Sequence, residues 1–253
     1  MLPHPEGVTS VDFSGDGKWL VTGSYDGAAR LWRMPDGALQ RTMKGHSGTI
    51  WSVAVSGSIV ASAGEDRIVR LWDLQSGEML RELRGHERNV WSVAFSPDGE
   101  LLVSGGFDRN VNVWQVRTGA LLRTLRGHQQ AVVSVAFSPD GKLIASGGDD
   151  STVRLWRASD GAVARVLDGS QHVYSVAFSD DGHWVVGGGR ELGAAGTFWK
   201  QLTGNRFRSR SSPTIRIWRL ADGALAQALS FHADDVWSVA ISDDSHWLGS
   251  NSA

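Results

Sequence analysis

The chain has 253 residues, no cysteine and a formal net charge of −2 at pH 7, which excludes a disulfide framework and argues against a globally basic nucleic-acid binder. Its 31 glycines indicate many turns, and its length suffices for one large β domain. No run of about 18 apolar residues predicts a membrane span, and Met1 to Pro5 does not resemble a secretion signal. We therefore expect a cytoplasmic protein.

One stretch, from Gly85 to His128, contains the pattern that the rest of the chain repeats. It has four short apolar runs, among them Val90–Phe95 and Leu101–Gly106, separated by turn signals such as Pro97-Asp98-Gly99. Runs of this length, rich in Val, Phe, Leu and Trp and bounded by Gly and Asp, are typical of strands. Each period is therefore predicted to be a four-stranded antiparallel meander.

Tryptophan lies at the end of the third predicted strand of each complete period, so the spacing between these tryptophans gives the length of the repeat. It recurs with spacings of 40, 42, 42 and 62 residues, at Trp32, Trp72, Trp114, Trp156 and Trp218. A first strand similar to Ser-Val-Ala-Phe begins once more at Ser238, after the last of these tryptophans. The sequence thus predicts five complete units and two strands of a sixth, over approximately residues 4–45, 46–85, 86–127, 128–169, 170–231 and 232–253.

A period of 40 to 45 residues with Gly-His near its start and Trp near its end resembles the repeats of the WD-repeat family. The dipeptide that names the family survives only at Trp72-Asp73, but the surrounding pattern covers essentially the whole chain. The resemblance implies an all-β fold: a β-propeller of four-stranded antiparallel blades, forming one domain over residues 1–253. Five complete blades and a partial sixth do not fill a closed ring, so we expect an open or truncated ring.

Each of the first four periods repeats a set of polar residues together with the tryptophan. A catalytic triad would be needed once and not four times, and the resemblance implies that each set forms a buried hydrogen-bond network that fixes the geometry of its blade. The sets are His4, Thr22, Asp26 and Trp32; His46, Ser62, Asp66 and Trp72; His86, Ser104, Asp108 and Trp114; and His128, Ser146, Asp150 and Trp156. The fifth period keeps only its tryptophan.

The resemblance places several aromatic residues on one exposed face of the propeller. They begin the innermost strands or precede the Asp of the turn between the second and third strands: Tyr25, Trp51, Trp91, Phe107, Tyr174 and Trp237. Aromatic rings on a rigid scaffold supply large contact areas at low entropic cost and are enriched at interaction hot spots. We predict that they bind a peptide or protein partner; the alternative is that the Trp side chains only pack between blades.

An insertion, roughly residues 190–212, lengthens the fifth period between its second and third strands. It has a net charge of +4 and contains Arg206, Arg208 and Arg210 interleaved with aromatic residues. Such a segment suits an acidic or phosphorylated peptide, and single-stranded nucleic acid is the alternative ligand. Its Gly, Ser and Arg content equally suits a disordered decoration without a ligand.

Other chemistry has little support in the sequence. There is no phosphate-binding loop, His-Glu-x-x-His motif or cysteine cluster, so no cofactor, metal or catalytic residue is predicted. The sequence favours a non-catalytic protein-interaction scaffold. An enzyme is the competing class, with Glu65, Asp149, His172 and Asp235 as its candidate residues near the mouth of the propeller, on the same exposed face as the aromatic residues. Further alternatives are an RNA-binding propeller and a regulatory or sensor region of a larger signalling protein, such as a kinase or a switch ATPase.

Overall fold

The computed structural model describes residues 2–169, 172–190, 215–230, 232, 235–242 and 244–252. In these residues every regular element is a β-strand, and consecutive strands pair in antiparallel sheets. Five sheets have four strands and a sixth has two, which confirms the predicted all-β class with five complete blades and a partial one. The chain divides into two compact units, Met1–Phe137 and Ser138–Ala253.

The first unit contains three complete sheets, each a meander in which every strand pairs with the next one along the chain. The first sheet comprises β1 (Val8–Phe13), β2 (Trp19–Ser24), β3 (Ala28–Arg33) and β4 (Ala38–Lys44). The second comprises β5 (Ile50–Ser56), β6 (Ile59–Gly64), β7 (Ile68–Asp73) and β8 (Met79–Arg84). The third comprises β9 (Val90–Phe95), β10 (Leu101–Gly106), β11 (Asn110–Gln115) and β12 (Leu121–Arg126), and the unit ends with β13 (Val132–Phe137).

The second unit follows the same plan. The fourth sheet has the order β13-β14-β15-β16, with β14 at Leu143–Gly148, β15 at Thr152–Arg157 and β16 at Val163–Asp168. The fifth comprises β17 (His172–Phe178), β18 (Trp184–Arg190), β19 (Ile215–Arg219) and β20 (Leu225–Leu229). The two-stranded sheet consists of β21 (Val236–Ile241) and β22 (Leu248–Ser252).

Burial differs among the strands of a sheet in a way that explains their sequences. The second strands β2, β6 and β10 are buried at every residue after the first, because each lies between two strands of its own sheet and also packs against the next sheet along the chain. Strict alternation of apolar and polar residues is therefore absent there. The outermost strands β8 and β12 expose most of their residues. Between the second and third sheets, Leu71 and Leu83 pack in one core cluster with Trp114.

The serine of the Ser-Val-Ala-Phe pattern links neighbouring sheets through their innermost strands. Its hydroxyl oxygen accepts a hydrogen bond from a backbone N–H of the next innermost strand. In the first unit the pairs are Ser10 and Val53 at 3.1 Å, Ser52 and Val93 at 3.2 Å, and Ser92 and Val135 at 3.1 Å; in the second unit Ser175 and Val239 pair at 3.1 Å. The sequence pattern contains this serine but did not reveal its role.

Candidate partner-binding site

The turn between the second and third strands determines where one of the predicted aromatic residues lies. In the third sheet, the Asp108 carboxylate accepts a hydrogen bond from the backbone N–H of Asn110 at 3.2 Å, which closes the turn. The preceding residue, Phe107, donates its backbone N–H to the carbonyl of Asn89 at 2.8 Å. The backbone is thus fixed, and 45 % of Phe107 is exposed. The guanidinium carbon of Arg88 lies 5.8 Å from the centre of the Phe107 ring, at cation–π distance.

Three other predicted aromatic residues of the first unit contact one another. Trp51 and Trp91, the second residues of β5 and β9, stack with their ring centroids 4.6 Å apart and an interplanar angle of 23°. Tyr25 meets Trp51 edge to face at 5.9 Å and is 50 % exposed. We call Tyr25, Trp51 and Trp91 the first aromatic cluster. Its tryptophans are half-buried, so they both pack between sheets and present part of their surface to solvent.

The second unit contains a comparable group at the equivalent strand starts. The rings of His172 and Tyr174 on β17 stack 5.9 Å apart, and those of Tyr174 and Trp237 stack 4.7 Å apart. Half of Trp237 is exposed. We call His172, Tyr174 and Trp237 the second aromatic cluster. The repeat predicted Tyr174 and Trp237, and the same alignment placed His172 near the mouth without indicating that its ring would stack.

A histidine–carboxylate contact and an ion pair lie at the second aromatic cluster. His172 Nδ1 lies 3.1 Å from the Asp149 carboxylate, and Arg190 Nε lies 3.3 Å from that of Asp235. Burial and the Asp235 charge raise the pKa of Tyr174, against the opposing effect of Arg190, so its phenol stays protonated as a hydrogen-bond donor. Three of the four residues named for an enzyme, Asp149, His172 and Asp235, thus lie here, each in contact with another ionisable side chain.

The fourth of these residues, Glu65, lies in the first unit. Its carboxylate accepts a hydrogen bond from the backbone N–H of Thr49 at 3.3 Å. Glu65 donates its own backbone N–H to the Thr49 carbonyl at 2.9 Å, the contact that Phe107 makes in the third sheet. Glu65 therefore occupies the turn position that Phe107 and Tyr25 occupy in the neighbouring sheets, with a charged side chain instead of a ring.

The repeated polar set is joined by hydrogen bonds inside the third sheet. Trp114 Nε1 donates to Ser104 Oγ at 2.8 Å, and Ser104 Oγ lies 2.7 Å from His86 Nε2. His86 Nδ1 lies 3.0 Å from the nearer oxygen of Asp108. The side chains of His86 and Asp108 are only 1 % and 4 % exposed, which removes them from contact with a ligand.

The second sheet contains the same series of contacts and one additional charge. Trp72 Nε1 donates to Ser62 Oγ at 2.8 Å, and His46 contacts Ser62 at 2.8 Å and Asp66 at 2.9 Å. Arg70 NH1 also donates to Asp66 at 2.6 Å. Burial opposes ionisation of Asp66, but the hydrogen bonds from His46 and Arg70 outweigh it and hold the pKa of Asp66 well below its ordinary value.

The first and fourth sets differ in detail. In the first sheet, Trp32 Nε1 donates to Thr22 at 3.0 Å and His4 Nε2 lies 2.7 Å from Thr22, but His4 Nδ1 faces the Leu2 carbonyl at 3.1 Å. Asp26 instead pairs with Arg30, whose NH1 lies 3.1 Å from it. In the second unit, Trp156 Nε1 donates to Ser146 at 2.8 Å and Asp150 accepts from the Thr152 hydroxyl at 2.7 Å. His128, in the first unit, is buried.

The basic residues predicted to reach the partner, Arg206, Arg208 and Arg210, lie outside the described residues. Arg88, which lies beside the Phe107 ring, was not predicted, because it belongs to one repeat only and has no periodic signal. Within the part of the chain that the structure describes, no helix is long and apolar enough to cross a membrane.

Comparisons with known proteins agree with the repeat pattern of the sequence. The family of the WD domain, G-beta repeat, matches residues 1–33, 37–73 and 223–253, and the first beta-propeller of IFT122 matches residues 67–191. The F-box-like/WD repeat-containing protein TBL1X of Mus musculus is 43 % identical over 68 residues, which are 26 % of this chain and 13 % of that protein. The ribosome biogenesis protein YTM1 of Saccharomyces cerevisiae is 41 % identical over 61 residues, which are 24 % of this chain and 13 % of YTM1.

Proposed function

Because the chain belongs to the WD-repeat family, we propose that it is a non-catalytic scaffold that binds a peptide or protein partner through exposed aromatic rings. In the first unit these are the rings of the first aromatic cluster and Phe107. In the second unit they are the rings of the second aromatic cluster. The observation that carries this proposal is the exposure of aromatic rings on backbone that is fixed by hydrogen bonds. A cytoplasmic location is part of the same proposal.

The contacts of the clusters support a docking role. Stacking and edge-to-face contacts hold the rings of Tyr25, Trp51 and Trp91 in place before any partner arrives. A partner that covers them therefore buries aromatic area without ordering mobile side chains, and this lowers the entropic cost of binding. Tyr25 and Phe107, each about half exposed, are the accessible edges of this surface.

An acidic or phosphorylated peptide is the partner that we favour. Arg206, Arg208 and Arg210 motivate this preference, since guanidinium groups bind carboxylates and phosphates through paired hydrogen bonds. In the first unit, Arg88 beside Phe107 provides a cation next to an exposed ring. Single-stranded RNA is the second candidate, because it would use the same cations and stack its bases on the rings.

The proposal is tested by affinity capture with the full chain and two matched sets of variants. Tyr25→Ala and Phe107→Ala remove exposed rings of the proposed surface. Leu80→Ala and Leu122→Ala remove side chains of similar exposure from the outermost strands β8 and β12. We expect the first pair to lose a partner that the wild type and the second pair retain.

Further arms of the same experiment separate the ligand classes. Ribonuclease treatment before capture would release an RNA-mediated partner and leave a direct protein contact intact. For a purified ligand, binding to nucleic acid should weaken steeply with salt and tolerate changes of sequence, whereas a peptide should depend on one anchor residue. Equal capture by all four variants would place the binding surface elsewhere on the chain.

The identity of the partner and the membership of a larger signalling protein both stay predictions. The matched segments cover 13 % of the length of TBL1X and YTM1, so the activity and partners of those whole proteins say little about this chain. That the chain is a regulatory or sensor region of a larger signalling protein likewise has no support in the described residues. The non-catalytic assignment rests on the family and on the side-chain contacts that engage Asp149 with His172 and Asp235 with Arg190.

A further inference from the structure

Two turns of the first unit place an arginine where glycine would be less strained. Arg67, in the turn before β7, has a φ of 70°, and Arg109, in the turn before β11, has a φ of 71°. The first sheet has Gly27 at the same turn position, with a φ of 73°. Glycine adopts this left-handed conformation without steric cost, whereas an L side chain adds strain. Both arginines are exposed, so packing does not account for their presence there.

In the second sheet, acidic residues accompany the arginines at this end of the strands. Glu65 lies two residues before Arg67 in the same turn. Arg84, at the end of β8, forms an ion pair with Glu82 at 2.5 Å. The positive charge at this end is therefore balanced within the sheet.

The third sheet has the equivalent arginines without these acids. Phe107 takes the turn position of the first acid, and Thr124 takes the strand position of the second. Arg126, at the end of β12, is exposed like Arg109. In the described part of the chain, neither of these two guanidinium groups makes a hydrogen bond or an ion pair. Their charges are therefore uncompensated.

Arg88 adds a third exposed cation at this end of the third sheet. Its guanidinium carbon lies 5.8 Å from the centre of the Phe107 ring, and it makes no ion pair with any described residue. Glu87, next to it, is exposed and opposes this charge. The Asp108 carboxylate is only 4 % exposed and is engaged by His86. Three guanidinium groups against one exposed carboxylate leave an excess of positive charge beside an exposed ring.

We propose that Arg88, Arg109 and Arg126 bind the phosphate group of a phosphorylated partner side chain beside the Phe107 ring. This inference rests on the proposed function of the same surface and specifies its ligand. A phosphate monoester has nearly two negative charges at neutral pH and three acceptor oxygens. Guanidinium groups bind such oxygens through charge-assisted and often paired hydrogen bonds. A carboxylate has a single charge and two oxygens, so it would engage fewer of the three cations.

Phenyl phosphate is the probe for this site, because it joins a phosphate dianion to an aromatic ring. It is titrated into the full 253-residue chain at about pH 7.5, above its second pKa of about 6, while NMR follows the backbone amides of residues 106–110. Phenyl sulfate has a similar shape and a single charge, and serves as the control ligand. On the protein, Arg109→Gly removes a cation and relieves the strained backbone. Arg67→Gly makes the same change in the second sheet and is the matched control.

We expect Arg109→Gly and Arg126→Ala each to weaken the binding of phenyl phosphate about three- to tenfold, as for a charge-assisted hydrogen bond at an exposed site. Phe107→Glu, which introduces the acid of the second sheet, should weaken binding at least as much. Arg67→Gly should bind like the wild type, and phenyl sulfate should bind more weakly than phenyl phosphate. Equal weakening by the two glycine variants would indicate a general attraction of anions and overturn the proposal. So would equal binding of the two ligands, or shifts that do not saturate.

Stability and partner capture separate the remaining explanations. The two glycine variants should change the urea midpoint by the same amount, because they relieve the same backbone strain. A loss of stability confined to Arg109→Gly would assign its side chain to the fold and overturn the proposal. A partner that Phe107→Ala loses and Arg109→Gly retains would leave the docking surface in place and overturn only the phosphate site. Binding of a single-stranded oligonucleotide without binding of phenyl phosphate would overturn it in favour of RNA.

Discussion

Asp108 is the residue whose loss should best show the contribution of the repeated polar sets to stability. It accepts hydrogen bonds from His86 and from the backbone N–H groups of Glu87 and Asn110. We expect Asp108→Ala to lower the free energy of unfolding by about 1–3 kcal/mol, because these donors are left without an acceptor. Urea denaturation monitored by tryptophan fluorescence measures the loss.

The control for Asp108→Ala is Asp160→Ala. Asp160 pairs with Arg157 on the surface, where both side chains are about half exposed. Exposed ion pairs contribute little to stability, so this variant should unfold close to the wild type. Asp160 also accepts a hydrogen bond from the backbone N–H of Ala162, so equal losses for the two variants would show that the buried contacts of Asp108 add nothing beyond those of an exposed turn carboxylate.

Asp66 should make the stability of the chain depend on pH. Its pKa is lower in the folded chain than its ordinary value of 3.8, so its ionised form stabilises the fold above that value. This contribution is lost as the pH falls through the folded-state pKa. We expect Asp66→Asn to be less stable than the wild type at pH 7 by about 1–3 kcal/mol. The difference should shrink under acid conditions, as urea denaturation at a series of pH values below about 4 would show. A difference that does not change with pH would exclude this role for Asp66.

At the scale of single residues, the sequence placed the polar sets but not all of their contacts. Periodicity brings His, Ser and Trp to fixed strand positions, and in the second and third sheets the carboxylate meets histidine. The residue two positions before the tryptophan is arginine in four of the five periods, but the repeat does not specify what that arginine binds. Arg30 occupies that position in the first sheet and binds Asp26, whereas Asn112 in the third sheet has no charge to offer.

The innermost strands should owe part of their cohesion to the serine that links one sheet to the next. We expect Ser92→Ala to lower the free energy of unfolding by about 1–3 kcal/mol, because the backbone N–H of buried Val135 loses its acceptor. Ser47→Ala is the control, since Ser47 is exposed and only its backbone N–H is engaged, by Asp66. Denaturation curves that coincide for the two variants would contradict the proposed link.

At the scale of elements, strand positions could be predicted well because turns and apolar runs are local. The predicted runs Val90–Phe95 and Leu101–Gly106 coincide with β9 and β10. The contact between Ser92 and Val135 could not be predicted, because its partners lie 43 residues apart and one of them is a backbone group without a sequence signature. The stacking of His172 on Tyr174 similarly depends on side-chain orientation.

At the scale of the whole molecule, the charge balance should control self-association. The isoelectric point from the sequence is about 6.4, so the chain has little net repulsion near that pH. Apolar side chains such as Trp247 and Val11 are more than half exposed and can then contact one another between molecules. We expect light scattering to show stronger self-association at pH 6.4 than at about pH 8.5 at equal ionic strength. Equal scattering at both pH values would mean that net charge has no part in it.

The whole-molecule expectations also show the limits of the repeat. Counting periods predicted five complete sheets and one of two strands, which the structure contains. The assignment of residues 1–253 to one domain stays a prediction, since the described chain divides into two compact units. The insertion has no repeat to align with, so neither its conformation nor its ligand could be derived from periodicity.

The stacking of Trp51 on Trp91 has a spectroscopic consequence. Indoles whose centroids lie 4.6 Å apart share their excited states, so this pair should give an exciton couplet in the far-ultraviolet circular dichroism spectrum. Trp91→Phe would delete the couplet while leaving an aromatic ring at the same position. A partner that docks on the first aromatic cluster changes the electronic surroundings of both indoles. The chain thus contains its own optical reporter, and docking could be titrated without attaching a dye.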